Sequence, residues 1–392
     1  MPDDAKNSPR RVAAIACGGT GGHLFPGLAV GQELLRRDCE VTLMVSPKDV
    51  DQQAIRSVSD MEIVTLPAIG LQNGGIFGFA LGFWKSYRKA KSFYATRPPN
   101  FVLAMGGFIS APPICAARAF HAKRFIHEAN TIPGKANRWL ARAMDGAFVH
   151  FQETASLLRA PRVEVVGMPV RPAFLQPMSA ANARRVLGLG ETDPVLLVMG
   201  GSQGARGIND LVVAILPRLK AALPELQCIH LTGNAGLEEA RRAYAAQNFR
   251  AIVEPFLSDM GTVLAAADVA VSRAGASSLA ELAARQLPSV LIPYPTAADD
   301  HQSHNARAFV QTGAARSLPQ RGATPEQLLR DILDLLRDPA QRAAMQRALA
   351  HWHRPTAAAD IAETILRWPE NRRVAAPSVA DFKTSKVGVL NA

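Results

Sequence analysis

The chain alternates short, wholly apolar runs with longer stretches in which apolar positions recur three and four residues apart. A short apolar run bounded by glycine or polar residues reads as a strand buried on both faces, and the three-four spacing reads as an amphipathic helix. On this basis strands are predicted over 12–17, 40–45, 101–105, 125–127 and 146–149, with a helix over 27–37 after the first. Beyond Pro172 the pattern begins again, with strands over 195–199, 227–231, 251–254, 269–271 and 290–292. The stretch 340–367 is Ala-rich and helical in its spacing, whereas 374–392 mixes Pro, Ser, Lys and Gly without period, as a loose tail does. Repeated strand–turn–helix units predict an α/β fold, with parallel sheets covered by helices on both faces.

The two halves start alike. Ala16-Cys17-Gly18-Gly19-Thr20-Gly21-Gly22 and Val198-Met199-Gly200-Gly201-Ser202-Gln203-Gly204 are each an apolar strand end, paired glycines, a small polar residue and the approach to a helix. We therefore expect two doubly wound, Rossmann-like domains facing a cleft, over 1–170 and 171–366. The last helix is able to pack back on the first domain, and 367–392 is a tail. Gly167-Met168-Pro169-Val170-Arg171-Pro172 has the turn-rich stiffness of a hinge. At 392 residues the chain is long enough for two hydrophobic cores.

Composition narrows the class. With 48% hydrophobic and 20% charged residues the chain is neither collagen-like, nor disordered, nor a disulfide scaffold. Lys and Arg outnumber Asp and Glu by 20 to 13 up to residue 170 and by 24 to 20 after it, so the net charge of +11 divides as +7 and +4. An excess on the first half suggests an anionic partner there. Cys17, Cys39, Cys115 and Cys228 stand far apart with no CxxC pair, which disfavours a metal site and fits a reducing compartment. The polar start suggests no secretory signal, and no apolar run approaches the roughly 18–20 residues that span a bilayer. A cytoplasmic protein able to touch a membrane from one side is expected. Aromatic residues are 6% of the chain and do not interleave with its basic residues as a stacking platform, so nucleic acid is not an expected partner.

A glycine-rich turn between a buried strand and a helix brings backbone N–H groups close to an anion, and the helix dipole adds to the attraction. The common fingerprints nevertheless fail. GxGxxG needs glycine where Leu24 stands, and GxxxxGK[ST] occurs nowhere, which argues against both a dinucleotide dehydrogenase and a P-loop enzyme. A third stretch, Ser272-Arg273-Ala274-Gly275-Ala276-Ser277-Ser278-Leu279-Ala280-Glu281-Leu282, follows a predicted strand and opens a helix. Its small residues permit close backbone approach, Ser277 and Ser278 can cap free N–H groups or meet phosphate oxygens, and Glu281 can accept from ribose hydroxyls about a turn further on.

These stretches together resemble the MurG family, the peptidoglycan N-acetylglucosaminyltransferases of the two-domain GT-B superfamily. The resemblance is carried by GGTGGHLFPGLAV from Gly18 to Val30, GGSQGA from Gly200 to Ala205, and the stretch from Ser272 to Leu282. His127-Glu128-Ala129-Asn130, Gly167-Met168-Pro169-Val170-Arg171, and Asp300-His301-Gln302 with Asn305-Ala306 continue it in the same order. It covers about residues 12 to 366, and departs from the commonest pattern at Ala129, where Gln is usual, and at Met168, where Asn is usual.

The resemblance implies inverting transfer of GlcNAc from UDP-GlcNAc to the C4 hydroxyl of an undecaprenyl-linked muramoyl-pentapeptide, giving the disaccharide lipid of peptidoglycan synthesis. By the same resemblance the second domain binds the donor. Ser202 meets the diphosphate, Phe256-Leu257 frames the uracil, and Ala276, Ser277 and Ser278 hold the phosphates, with Leu279 and Ala280 in the same binding stretch. Glu281 takes the ribose, His301 and Gln302 the sugar hydroxyls, and Arg171 reaches the nucleotide from the hinge. Thr20, Gly21 and Gly22 suit the acceptor diphosphate and approach the donor sugar, which Asn130 also meets. His23 and Glu128 are rival general bases, and the residues alone leave that choice open. Asp299-Asp300 lacks the spacing of a metal-bridging DxD pair, so neither a metal nor another cofactor is expected.

Between Leu71 and Lys91, Ile76, Phe77, Phe79, Leu81, Phe83 and Trp84 mingle with Lys85, Arg88 and Lys89. Exposed together they form an apolar patch with a basic rim, suited to an anionic membrane surface on the inner face of the plasma membrane. Two other readings share the donor half: a GT-B transferase with a different acceptor, and a UDP-GlcNAc-binding protein or epimerase. The motifs of the first half carry the distinction.

Overall fold

A computed structural model of the chain describes residues 10–19, 21–48, 52, 59–67, 71–201 and 204–369, the side chains of 71–74 and 76 excepted. Thr20, Ser202, the side chain of Ile76 and the expected tail beyond 369 therefore lie outside the described residues.

Two sheets form, and every pairing in them is parallel. The first contains β1 (Val12–Ala16), β2 (Glu40–Val45), β3 (Glu62–Thr65), β4 (Phe101–Ala104), β5 (Lys123–Glu128), β6 (Gly146–Val149) and β7 (Val163–Val165), in the order β3-β2-β1-β4-β5-β6-β7. The second contains β8 (Val195–Met199), β9 (Gln227–Leu231), β10 (Ala251–Glu254), β11 (Val269–Ser272), β12 (Ser289–Leu291) and β13 (Arg316–Ser317), in the order β10-β9-β8-β11-β12-β13. In each sheet the first strand lies centrally and the order reverses beside it, which is the doubly wound arrangement.

The wholly apolar runs became the central strands. β3, β7 and β13, absent from the sequence reading, are all edge strands, open on one side and with few buried residues. An edge strand has little apolar pressure on its composition, so the pattern is faint there. The first helix also begins earlier than expected, at Gly21, because its opening turns are made of glycine and Pro26 rather than of periodic apolar residues.

The stretch read as one helix over 340–367 is two, Pro339–Trp352 and Ala357–Arg367. The second of these leaves the C-terminal sheet and buries Ile361, Ala362 and Ile365 in the same core as Leu24, Val30, Leu34 and Phe125. Trp368, read as tail, packs edge-on against Phe125 with ring centres 5.0 Å apart. A Cβ on Gly146 would lie 2.9 Å from that indole, so glycine is what admits it. The chain thus closes by tying its end to the first sheet. Where the halves meet, Ala129 and Met168 pack with Ala276 and Ala280 in a small buried cluster, so the two departures from the family pattern are neighbours in space.

Candidate active site

The first wall of the site is built at the switch point between β1 and β4. β1 runs into Gly18-Gly19 and the helix Gly21–Leu35, while β4 runs into Gly106-Gly107, and φ is +101° at Gly19, +108° at Gly106 and +76° at Gly107. His23, in the first turn of that helix, lays its ring across the second turn. A Cβ on Gly106 would stand 3.0 Å from Cδ2 and Nε2 of the imidazole, and one on Gly107 would stand 3.2 Å from Cε1 and Nδ1. Both glycines are required twice over, by their backbone angles and by the ring they accommodate. Lys48 Nζ donates to the Gly19 carbonyl at 2.9 Å and brings a positive charge to the same loop.

Glu128, at the end of β5, is 2% exposed. Its carboxylate accepts from Asn130 N at 2.9 Å, Asn130 Nδ2 at 3.2 Å, Gly134 N at 3.0 Å and Asn137 Nδ2 at 2.7 Å. Burial pushes its pKa up, and these four donors pull it partly back. The arrangement makes Glu128 the internal strut of the loop carrying Asn130. Neighbouring His127 does not form an ion pair with it. Its Nε2 lies 3.0 Å from the Gly167 carbonyl, and burial lowers its pKa to about 4, so the ring is neutral at pH 7.

The second wall comes from β8 and β11. φ is +88° at Gly201 and +72° at Gly204, and a Cβ on Gly204 would collide with the Thr232 carbonyl. After β11 the helix Ala276–Ala284 starts with Gly275 as its N-cap and no side-chain cap. The capping role expected for Ser277 and Ser278 is therefore not what the structure shows. Ser277 Oγ instead donates, at 3.4 Å, to the Gly22 carbonyl of the other domain. That carbonyl is available because the residue four positions on, where a helical N–H would reach it, is Pro26. Leu279 and Ala280 face inward as packing, and Leu257 sits half-buried in the loop after β10 beside exposed Phe256.

Glu281 lies in the second turn of that helix, 3.6 Å from the Arg171 guanidinium. Burial pushes Glu281 up to about 7 against the opposing pull of Arg171. Arg171 is itself stacked over Phe25, 4.2 Å from the ring centre, and over Phe174 at 4.8 Å. Gln302 spends its Oε1 on Ala274 N at 3.3 Å and Tyr294 N at 2.9 Å, which fixes the loops around the helix start. His301 turns Nδ1 to the Ala298 carbonyl at 2.7 Å. The preceding turn holds Asp299 and Asp300 at φ +50° each. Arg138 of the first domain pairs with Asp299 at 3.0 Å, and Asp300 accepts from Ser303 Oγ at 2.7 Å. Among the described residues no three His, Cys, Asp or Glu side chains group as ligands to a metal.

Glycine turns and a histidine stand on one wall, and glycine turns with a helix N-terminus bearing Ser277, Ser278 and Glu281 stand on the other. A model of the glycosyltransferase family 28 N-terminal domain matches residues 13–149, and one of its C-terminal domain matches residues 195–365. The chain belongs to glycosyltransferase family 28.

Relatives in the family agree along nearly the whole length. A protein of Geobacter sulfurreducens is 37% identical over 358 residues, 90% of this chain and 97% of its own. One of Anaeromyxobacter sp. strain K is 34% identical over 371 residues, 91% and 93% of the two chains. Both are named UDP-N-acetylglucosamine–N-acetylmuramyl-(pentapeptide) pyrophosphoryl-undecaprenol N-acetylglucosamine transferase. The crystal structure of Acinetobacter baumannii MurG superposes with a TM-score of 0.70 at 26% identity, covering 91% of this chain and 99% of that one. A UDP-N-acetylglucosamine 2-epimerase superposes almost as well, at 0.68, but at 14% identity it shares the fold alone.

Of the residues expected from sequence, Ser277 meets Gly22, the neighbour of His23, and Arg171 meets Glu281, while Ala276 packs on Ala129, the neighbour of Asn130. Sequence reasoning missed the glycine pair that accommodates His23, the Asn137 amide on Glu128, the Phe25 ring under Arg171, and any role for Asn305. Only Asn305 had a local signal. It stands three residues after Gln302, hence on the same helix face.

Proposed function

We propose that the protein transfers GlcNAc from UDP-GlcNAc to the C4 hydroxyl of undecaprenyl-pyrophosphoryl-MurNAc-pentapeptide, with inversion at the anomeric carbon. The observation that carries this reading is the juxtaposition of His23, in its glycine-lined place on the first domain, with the start of the Ala276–Ala284 helix on the second, through Ser277 and the Gly22 carbonyl. The His23 imidazole takes the C4 hydroxyl proton as that oxygen attacks the anomeric carbon, and the bond from that carbon to the β-phosphate oxygen breaks with its electrons leaving on UDP. The charge developing on UDP meets backbone N–H groups, the helix dipole and the Arg171 guanidinium, so donor activation rests on the protein's own dipoles and needs no metal.

Glu128 serves as a positioning residue, since three of its four contacts are donors from its own loop and the fourth, Asn137, is on the short helix that follows. Glu281 receives the ribose hydroxyls, and the backbone at Leu257 borders the base. Thr20, Gly21 and Gly22 take the acceptor diphosphate, together with Lys48.

The acceptor is delivered from a membrane surface. No described helix is long and apolar enough to cross a membrane. The helix Leu71–Thr96 instead exposes Phe77, Leu81 and Trp84, spaced on one face, with Arg88 lying 4.9 Å from the Trp84 ring centre. Contact with the inner face of the cytoplasmic membrane through this face follows.

The test is UDP release from UDP-GlcNAc with and without a short-chain lipid-linked muramoyl-pentapeptide, in EDTA. Acceptor-dependent release supports the reading. Release independent of acceptor, or restored only by magnesium, overturns its acceptor or its metal-free part respectively.

A further inference from the structure

Asn305 is 0% exposed at the boundary between the two sheets, on the helix His301–Gln311. Its Oδ1 accepts from Thr131 N and from Thr131 Oγ1, both at 3.0 Å. Its Nδ2 donates to Asn130 Oδ1 at 3.1 Å and to the Ala274 carbonyl at 3.2 Å. The orientation of this amide is not free. A backbone N–H can only donate and a backbone carbonyl can only accept, so Thr131 and Ala274 together fix which end is oxygen.

The same logic extends outward in both directions. Asn130 gives Nδ2 to Glu128, which leaves its Oδ1 toward Asn305, and a continuous chain of hydrogen bonds runs from the Glu128 carboxylate to the second domain. On the other side, Ala274 has its N–H held by Gln302 and its carbonyl by Asn305. Ala274 opens the turn into the helix that bears Ser277, Ser278 and Glu281. Thr154 Oγ1, buried beneath, lies 2.9 Å from the Asn130 carbonyl and 3.0 Å from that of Thr131, and so backs the acceptor-side loop.

We propose that Asn305 is a positioning residue that sets the register between the two walls of the cleft, tying the Asn130–Thr131 loop to the phosphate-facing turn at Ala274. It meets both the loop on which Asn130 stands and the turn that starts the donor helix, and its amide is saturated by those two partners, so none of its polar atoms is left for substrate. Closing the walls in register is what brings a donor carbon and an acceptor oxygen into line, and a misfit of about 1 Å there costs on the order of 100-fold in rate. The role rests on the transferase reading above, but one of its readouts does not.

The experiment compares Asn305→Ala and Thr131→Val with the full-length wild type. Turnover of UDP-GlcNAc with the lipid-linked acceptor, UDP affinity by calorimetry, and amide hydrogen exchange at residues 130–134 without substrate are measured. Asn305→Ala is expected to lower kcat on the order of 10- to 100-fold, leave UDP affinity within about threefold, and speed exchange at Thr131 roughly tenfold or more, one lost hydrogen bond of about 1.4 kcal/mol. Thr131→Val, nearly isosteric, should lose less, and should add almost nothing on the Asn305→Ala background. A loss of UDP affinity as large as the loss of kcat would overturn the proposal, because it would place Asn305 in the donor site or in the second domain's own fold. Fully additive effects of the two substitutions, or unchanged exchange, would overturn it too. A wild type that turns over no acceptor would count against the transferase reading alone, and the exchange and coupling of the two variants would still decide the role of Asn305.

Discussion

The Arg171 guanidinium stands 3.6 Å from the Glu281 carboxylate while lying over the Phe25 ring, 4.2 Å from its centre. One residue of the hinge thus touches the helix of the second domain and the first helix of the other. The aromatic face holds the guanidinium in place without consuming its donors, and the carboxylate receives a counter-charge that opposes its burial. Glu281→Gln keeps the shape and removes the charged acceptor. UDP affinity measured by calorimetry at pH 8 should fall by about 10- to 100-fold, the cost of hydrogen bonds to a charged group. Arg171→Met should weaken UDP as well, and should drive the Glu281 pKa further up.

His23→Ala and Glu128→Gln should part company. The first removes the proposed base, so kcat should fall by about 100- to 10,000-fold, far more than any shift in the urea midpoint accounts for. The second places an amide NH2 where two of the four N–H donors point, whichever oxygen it replaces. It should cost about 1–3 kcal/mol of stability in the same titration, along with activity. A stable, inactive Glu128→Gln would return the base to Glu128.

Gly106→Ala tests how His23 is placed. Alanine at φ +108° is strained, and its Cβ would arrive 3.0 Å from the imidazole. Circular dichroism melts should show a loss of about 1–3 kcal/mol. kcat should fall more than UDP affinity does, because the donor wall is untouched.

Acid should destabilise the fold in a defined window. Burial lowers His127 to about 4, His150 to about 3 and His230 to about 4. An unfolded histidine takes a proton near pH 6.5, so their contribution is present above 6.5 and is lost as pH falls toward 4. Glu281, raised to about 7, works the other way, since the folded state holds its proton from about pH 7 down to 4.5. At pH 5.5 these four groups leave the unfolded chain binding about two more protons, three from the histidines less one from Glu281. Stability from urea titrations should then fall as the pH is lowered through this window, by on the order of a few kcal/mol per pH unit. A flat profile between pH 5 and 6 would show that the histidines are not buried neutral.

The exposed face of the Leu71–Thr96 helix predicts membrane behaviour. Phe77 is 92% exposed and Trp84 52%, so Phe77→Ser with Trp84→Ser should leave the thermal midpoint unchanged. Co-sedimentation with vesicles containing anionic lipid should drop about tenfold or more at low salt, each aromatic contributing on the order of 1.5–3 kcal/mol when buried in lipid. Wild-type binding should also weaken as salt rises.

Much of this protein could be read in its sequence because parallel sheets covered on both faces demand wholly apolar strands. β1, β4 and β8 are such runs, β2 and β9 carry only two polar residues each, and glycines at Gly18-Gly19 and Gly200-Gly201 mark the turns after β1 and β8. The edge strands β3, β7 and β13 were silent for the same reason in reverse. Gly106-Gly107 ends the run over 101–105, and nothing local marks it as the place where a histidine lies. Ser277 looked like a cap because a serine near a helix start usually is one, and nothing local reveals a carbonyl 255 residues away that proline has left without a helical partner.

The sequence by itself determined the two doubly wound sheets, the glycine turns at their switch points and the set of polar residues around them, because strand burial, helix periodicity and glycine's backbone freedom act over a few residues at a time. Tertiary structure decided what each polar residue does. It spent the Glu128 carboxylate on its own loop, set His23 against two glycines, put Arg171 between Phe25 and Glu281, and joined Asn305 to Asn130 across 175 positions of chain. The Arg171 and Asn305 contacts depend on the relative placement of two separately folded sheets, and that of His23 on β1 lying beside β4, and local periodicity carries no information about either placement.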